Sequence, residues 1–129
     1  MKPYVAVFIG GTLGSLFRYA VNTSIGGAFF PWPTFIENAS GSLLLGLLTG
    51  FFSSRAKHNL IQLMLGTGFC GGYTTMSAFS KETALILHSS SPHIGVVYLA
   101  ASLLSGLCLA FIGIVFGTRI GQNKERYES

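Results

Sequence analysis

The amino-acid sequence predicts an all-α membrane protein with four transmembrane helices, the third of which is broken near the middle of the bilayer. The 129-residue chain is 50% hydrophobic and only 9% charged, and its mean hydropathy is +0.57. These values are typical of integral membrane proteins. Four apolar segments are long enough to cross a bilayer, at about residues 4–23, 33–52, 59–89 and 95–117. We therefore expect a single integral membrane domain over residues 1–129.

The first segment combines a pattern of small residues with one internal charge. Gly10 and Gly14 form a GxxxG pair, which allows a second helix to approach closely. Arg18 lies inside the end of the segment, where a charge is costly unless it reaches the interface or faces a polar cavity. Both explanations of Arg18 remain open from the sequence.

The second segment follows a Pro-Trp-Pro turn and carries polar residues along one face. Thr34, Asn38 and Ser42 are spaced four residues apart, so a helix places them one above another. The primary amide of Asn38 must find hydrogen-bond partners inside the membrane. Either a neighbouring helix or a permeating solute can supply them.

The third segment is too long and too rich in weak helix formers for one straight helix. Its 31 residues would extend about 46 Å, against a hydrocarbon core of about 30 Å. Gly71-Gly72 and Tyr73-Thr74-Thr75 occupy its middle, and these residues disfavour helix. We predict a break at 71–75, whose free backbone groups need an ion or water as a partner.

Beyond the predicted break, one helical face mixes a thioether, an aromatic ring and two hydroxyl groups. These are the side chains of Met76, Phe79, Ser80 and Thr83, at i, i+3, i+4 and i+7. Such a face suits a polar path. Ordinary helix packing, with the hydroxyl groups bonded to the preceding turn, is the alternative interpretation.

The fourth segment adds a third polar stripe, formed by Tyr98, Ser102 and Ser105. If the stripes of helices 2, 3 and 4 converge, the path between them is rich in hydrogen-bond donors. Arg18 and Lys81 lie nearby, and no ring of acidic residues is evident. This chemistry favours an anion over a cation, and the electropositive edge of an aromatic ring can also face a small anion.

Other classes of function find little support in the sequence. Four acidic residues, two cysteines and three histidines show no spacing typical of a catalytic or zinc site, so we do not expect an enzyme. The net charge of +4 comes mostly from loops and the C-terminal tail. It suits lipid headgroups better than nucleic acid.

Together the motifs resemble the Fluc (CrcB) family of small fluoride channels, over essentially the whole chain. The resemblance rests on residues 10–19 (GGTLGSLFRY), on Asn38 with Gly41, on residues 68–80 (GFCGGYTTMSAFS) and on Tyr98 with Ser102. The third-helix motif is specific, whereas GxxxG pairs are common. One position departs from the family pattern, because Met76 stands where the family has a phenylalanine.

The resemblance implies a fluoride-specific channel that carries fluoride passively out of the cytoplasm. It implies two subunits packed antiparallel in the cell membrane, with two narrow pores and a structural sodium ion between them. The backbone carbonyls of Gly71 and Thr74 would hold the sodium ion. Carried over by motif, the residues near the ion path are Asn38, Phe79, Ser80, Tyr98 and Ser102. Met76 is included because of its position in the motif.

The competing interpretations are a small four-helix exporter and an accessory membrane subunit. The exporter is disfavoured, since no acidic residue lies inside the first two segments away from their ends.

Positive charges predict the orientation of the chain in the membrane. Six lie on the side of both termini, against Arg18 and Lys81 in the opposite half, which places both termini in the cytoplasm. A heterodimer with a homologue and a dual-topology homodimer both remain open. The six residues are Lys2, Arg55, Lys57, Arg119, Lys124 and Arg126.

Overall fold

All secondary structure in the described part of the chain is helical. The computed structural model describes residues 2–25, 30–53 and 59–128, with backbone only at residues 59 and 124–128. The charges of Arg55 and Lys57, and the side chains of Lys124 and Arg126, therefore lie outside the described residues. The elements are α1 (Pro3–Ser24), α2 (Trp32–Phe52), α3 (Asn59–Gln62), a π-helical segment (Leu63–Cys70), α4 (Gly71–Tyr73), α5 (Met76–Leu87) and α6 (Pro92–Glu128).

Three of these helices are long and apolar enough to cross a membrane: α1, α2 and the Pro92–Asn123 part of α6. They contain the first, second and fourth predicted segments. Helix α6 has 37 residues, or about 56 Å at 1.5 Å per residue, so it is longer than the hydrocarbon core is thick. The all-α class with several apolar helices agrees with the prediction.

The third predicted segment consists of several shorter elements. Helical backbone continues from Asn59 to Tyr73, and α5 begins at Met76. Between them Thr74 and Thr75 are extended, with φ/ψ of −76°/157° and −144°/119°. The non-helical stretch is therefore shorter than the predicted 71–75.

Gly71 and Gly72 remain helical and do not form the break. Gly72 is required for helix packing. A Cβ atom at Gly72 would lie only 2.4 Å from the carbonyl oxygen of Gly11 on α1. The interruption comes instead at Thr75, whose hydroxyl oxygen accepts a hydrogen bond from the Ala78 amide (3.3 Å) and caps α5.

Helix α1 packs directly on the backbone of the π-helical segment. A Cβ atom added at Gly10 would lie 1.9 Å from the carbonyl oxygen of Met64, and one at Gly14 would lie 2.2 Å from that of Phe69. In return, Gly68 approaches the carbonyl oxygen of Val7, with a Cβ distance of 2.7 Å. The close approach expected from the GxxxG pair is confirmed.

Helices α2 and α6 form a second interface of the same kind. A Cβ atom at Gly46 would lie 2.2 Å from the carbonyl oxygen of Ala110, and one at Gly117 would lie 2.2 Å from that of Leu47. Small residues on both helices bring the two backbones together. These interfaces fix where the polar residues of α2, α5 and α6 meet.

Substitution of Gly14 by alanine should destabilise the protein. The added methyl group would overlap the Phe69 carbonyl, and backbone cannot give way as a flexible side chain can, so we expect a loss of about 1–3 kcal/mol. Gly11→Ala is the matched control on the same helix, since its Cβ would meet the Gly68 carbonyl oxygen at an ordinary 3.7 Å. Denaturant unfolding in detergent measures both variants, and equal stabilities would contradict the packing described for α1.

Candidate functional site

A groove of about 230 Å³ lies between α2, α5 and α6. A water molecule takes about 30 Å³ of liquid volume, so the groove holds several water-sized species. Most of its polar lining comes from side chains singled out in the sequence. The lining residues are Asn38, Ser42, Met76, Phe79, Ser102, Leu103, Gly106 and Leu107.

Asn38 connects α2 to the extended residues before α5. Its Nδ2 group donates to the Thr75 carbonyl oxygen (3.0 Å), and its Oδ1 atom accepts from the Thr75 amide (2.8 Å). The amide side chain thus replaces the helical partner of the Thr75 amide, and it also donates to the carbonyl oxygen of this N-cap residue. Asn38 holds the start of α5 in place at the groove.

This pairing changes the hydrogen bonding of the two backbone carbonyls predicted to bind sodium. In a continuous helix, Gly71 C=O would accept from the Thr75 amide and Thr74 C=O from the Ala78 amide. The Thr75 amide donates instead to Asn38 Oδ1 (2.8 Å), and the Ala78 amide donates to Thr75 Oγ1 (3.3 Å). Both carbonyls have therefore lost their usual helical donor.

Phe79 and Tyr98 form the buried aromatic wall beside the groove. Their ring centroids lie 5.4 Å apart at an interplanar angle of 53°, and the side chains are 6% and 0% exposed. Thr83 is also buried, and its hydroxyl donates to the Phe79 carbonyl one turn earlier (2.7 Å). This bond to the preceding turn is the packing alternative considered for Thr83.

Ser102 carries a hydroxyl group that is buried at the groove without a hydrogen-bond partner among the described residues. Buried hydroxyl groups nearly always have a partner, so an unpaired one requires an explanation. The carbonyl oxygen of Ser102 is bonded separately, to the Ser105 hydroxyl (3.2 Å). Because Ser102 lines the groove, a small rotation of its side chain would let this hydroxyl group donate to a solute there.

Comparison with known proteins identifies the family. The profile of the family described as CrcB-like protein, Camphor Resistance (CrcB), matches residues 5–114. This chain belongs to the CrcB-like family. The resemblance to the Fluc (CrcB) family, drawn from motifs over essentially the whole chain, is thereby confirmed.

Several curated CrcB-like relatives match this chain over nearly their full length. It is 70% identical to "Fluoride-specific ion channel FluC 2" of Bacillus licheniformis over 133 residues, covering 100% of both chains. It is 54% identical to the protein of the same name from Bacillus subtilis, covering 98% of this chain and 95% of the relative. A "Fluoride-specific ion channel FluC" of Thermus thermophilus is 38% identical, with 91% and 96% covered. Apolar helices and channel relatives together identify a membrane protein.

The structure of this CrcB-like chain brings together some of the predicted site residues and separates others. Asn38, Met76, Phe79 and Ser102 meet at the groove, and Tyr98 lies behind Phe79. Ser80 is exposed and does not line the groove, and Lys81 is exposed as well. Arg18 lies on α1, and its carbonyl oxygen accepts a hydrogen bond from the Asn22 side chain (3.0 Å).

The two acidic residues of the CrcB-like bundle were not predicted to belong to the site. Glu82 accepts hydrogen bonds from the Thr34 hydroxyl (2.8 Å) and from the Tyr98 hydroxyl (2.8 Å). Glu37 is 0% exposed and accepts from the Asn22 amide. The signal available in the sequence was the presence of Asn22, Glu37 and Glu82 within or next to apolar segments, where polar groups need partners.

Proposed function

We propose that this chain is a subunit of a fluoride-specific channel in the cell membrane, through which fluoride leaves the cytoplasm passively. The observation that carries the proposal is the groove, whose polar lining residues include Ser102, with its unpaired hydroxyl group, and no acidic residue among the described ones. The relatives carry the name of a fluoride channel and not of an enzyme or exporter.

A small anion requires donors that replace its hydration shell, and this groove offers three kinds. Ser102 offers a hydroxyl group, and Phe79 offers an aromatic ring whose edge is electropositive. The first turn of α5 begins at Met76, and the amides at a helix N-terminus favour negative charge. The combination supports an anion as the permeating ion.

Fluoride efflux from liposomes tests the function directly. Purified protein should release fluoride from loaded vesicles much faster than protein-free vesicles do, and it should leave chloride inside. Since the groove supplies no acidic ring for cations, potassium should not enter it. Valinomycin, which carries potassium through the lipid, can therefore balance the charge of the departing fluoride. Release no faster than the protein-free background, or equal release of chloride, would contradict the proposal.

We further propose that two subunits pack antiparallel and that the second one closes the groove. On the outer side of the groove, Met76 is 69% exposed, Leu107 is 71% exposed and Leu103 is 50% exposed. An ion in this groove would otherwise face lipid, which cannot solvate it. A partner could also supply the aromatic contact that Met76 does not provide. The third membrane segment would then be a broken helix, interrupted at Thr74 and Thr75 near the bilayer midplane.

A sodium ion between the subunits fits the backbone around Thr74. Carbonyl oxygens are ligands that a hard cation accepts, and those of Gly71 and Thr74 have lost their helical donors to Asn38 and Thr75. Gly71 is exposed, and a Cβ atom built there meets nothing within 4 Å. The sodium ion would be structural and would lower the cost of an anion nearby.

Replacing sodium by N-methylglucamine on both sides of the membrane should reduce fluoride efflux at least tenfold. The larger cation cannot enter a site made of closely spaced carbonyl oxygens. Because backbone atoms form this site, side-chain substitutions should barely affect sodium binding. The effect should reverse when sodium is restored. Unchanged efflux in strictly sodium-free buffer would contradict the sodium site and leave the fluoride path intact.

The proposed orientation places both termini in the cytoplasm, because the positive charges favour that side. A reporter fused after Ser129 should then signal from the cytoplasm alone, and adding a homologous partner of opposite orientation should raise the flux above that of this chain by itself. Equal cytoplasmic and external signals, or no gain in flux from such a partner, would instead establish a dual-topology homodimer.

A further inference from the structure

Two glutamate carboxyl groups lie near each other inside the helix bundle, next to the groove. Thr34 and Glu37 are one turn apart on α2, so their side chains are neighbours on one face. The Thr34 hydroxyl donates to Glu82 Oε1 at 2.8 Å, which places the carboxyl group of Glu82 against the same face.

The two carboxyl groups are supplied with hydrogen-bond donors very differently. Glu82 is half-buried, and each of its oxygens receives a hydroxyl donor, from Thr34 and from Tyr98. Glu37 is completely buried, its Oε1 receives the Asn22 amide, and its Oε2 has no partner among the described residues. An ionised carboxylate would be far better accommodated at Glu82 than at Glu37.

The orientation of the Asn22 side chain identifies which carboxyl oxygen of Glu37 has no hydrogen-bond donor. Asn22 Nδ2 also donates to the Arg18 carbonyl oxygen at 3.0 Å, so the amide must present its NH₂ group and not its oxygen to this region. Oε1 of Glu37 is therefore an acceptor, and Oε2 is the oxygen available for a proton.

A second subunit does not supply the missing partner of Oε2. Glu37 is 0% exposed in the single chain, so a residue of a second subunit cannot reach it without rearrangement. The charged and titratable side chains near it are Arg18 of α1, Glu82 of α5 and Tyr98 of α6. None of them forms a hydrogen bond to Oε2.

We propose that Glu37 is a proton-binding site beside the anion path, and that fluoride passes readily only while Oε2 of Glu37 carries its proton. Protonation adds one O–H bond and removes one negative charge, and no other bond changes. A buried carboxylate with a single donor is much costlier than the neutral acid. The positive charge of Arg18 offsets part of this cost, and the nearby carboxyl group of Glu82 does not relieve it. The inference rests on the proposed fluoride conduction.

The position of Glu37 connects its charge to the path. Glu37 directly precedes Asn38, whose side chain lines the groove, and Glu82 is bonded to Tyr98, which packs on Phe79. Two like charges about 8 Å apart in a medium of effective dielectric about 20 would slow passage by roughly thirtyfold. Fluoride flux should accordingly be high at low pH and fall as Glu37 loses its proton at higher pH.

Fluoride efflux from liposomes over the range from about pH 5.5 to about pH 8.5 tests this dependence. The unchanged chain should lose at least tenfold of its flux across the range, after subtraction of the release from protein-free vesicles. Glu37→Gln should remain at the acid level throughout, because glutamine is neutral and keeps the acceptor for Asn22. Glu125→Gln, in the C-terminal segment, is the matched control and should follow the unchanged chain. A pH profile in Glu37→Gln equal to that of the unchanged chain would overturn the proposal.

Infrared difference spectroscopy supplies a measurement that does not depend on flux. The unchanged chain at the acid end should show the carbonyl stretching band of a protonated carboxyl group, shifted by deuterium exchange. The band should persist in Glu82→Gln and disappear in Glu37→Gln. Absence of the band in the unchanged chain would overturn the proton site even if fluoride is conducted. A band without fluoride flux at any pH would instead refute the proposed channel function, and with it the effect assigned to Glu37.

Discussion

Replacement of Asn38 by aspartate should reduce fluoride efflux by at least a hundredfold. The substitution conserves size and keeps an acceptor for the Thr75 amide, but it removes the donor to the Thr75 carbonyl oxygen. It also introduces a negative charge into the lining of the groove. Two unit charges about 4 Å apart at an effective dielectric of about 20 repel by about 4 kcal/mol, which exceeds a hundredfold in rate.

Asn123→Asp is the matched control, because it makes the same chemical change at an exposed position on α6. Its flux should stay within twofold of the unchanged chain. Circular dichroism and size-exclusion chromatography should show that Asn38→Asp keeps its helices and assembly state. A folded Asn38→Asp protein with normal flux would exclude the groove as the ion path.

The helix packing was largely predictable because its signal is local in the sequence. The spacing of Gly10 and Gly14 indicates a surface of bare backbone on a single helix. The structure places another backbone against that surface. The spacing could not specify which helix packs there, since that depends on contacts between residues far apart in the sequence, such as Gly46 with Ala110.

The exact interruption of the third segment was harder to predict, because glycine in a membrane helix can mark either a break or a close helix contact. Glycines in a helix weaken it, yet Gly72 is required by its close contact with Gly11. The extended residues follow from two side-chain bonds: Asn38 takes the Thr75 amide, and Thr75 caps α5. Asn38 lies 37 residues earlier in the chain than Thr75. The helix propensities of residues near Thr75 therefore could not predict this hydrogen bond.

The candidate site shows the same division between local and distant information. Helical spacing predicted that Phe79, Ser80 and Thr83 share a face, but it could not tell which part of that face turns inward. The structure buries Phe79 and Thr83 and leaves Ser80 exposed. The hydrogen bonds of Glu82 were not predicted because its partners come from α2 and α6, through Thr34 and Tyr98.

Substitution of Ser102 by alanine should reduce fluoride efflux about tenfold to a hundredfold without lowering stability. A hydrogen bond to a charged group contributes about 1.5–3 kcal/mol. Ser102 lines the groove, and a small rotation of its side chain would let it donate one to an ion there. In the ion-free protein, however, its buried hydroxyl group has no partner among the described residues. Its removal should therefore leave the free energy of unfolding unchanged or raise it by about 1 kcal/mol.

Ser105→Ala is the control that separates this role from simple packing, because it removes a hydroxyl group from the same helix. The Ser105 hydroxyl donates to the Ser102 carbonyl oxygen at 3.2 Å and does not line the groove. We expect its loss to lower stability slightly and to leave fluoride efflux unchanged, the opposite pattern to Ser102→Ala. If Ser102→Ala instead lowers the free energy of unfolding and conducts normally, the Ser102 hydroxyl has a structural partner and plays no part in fluoride passage.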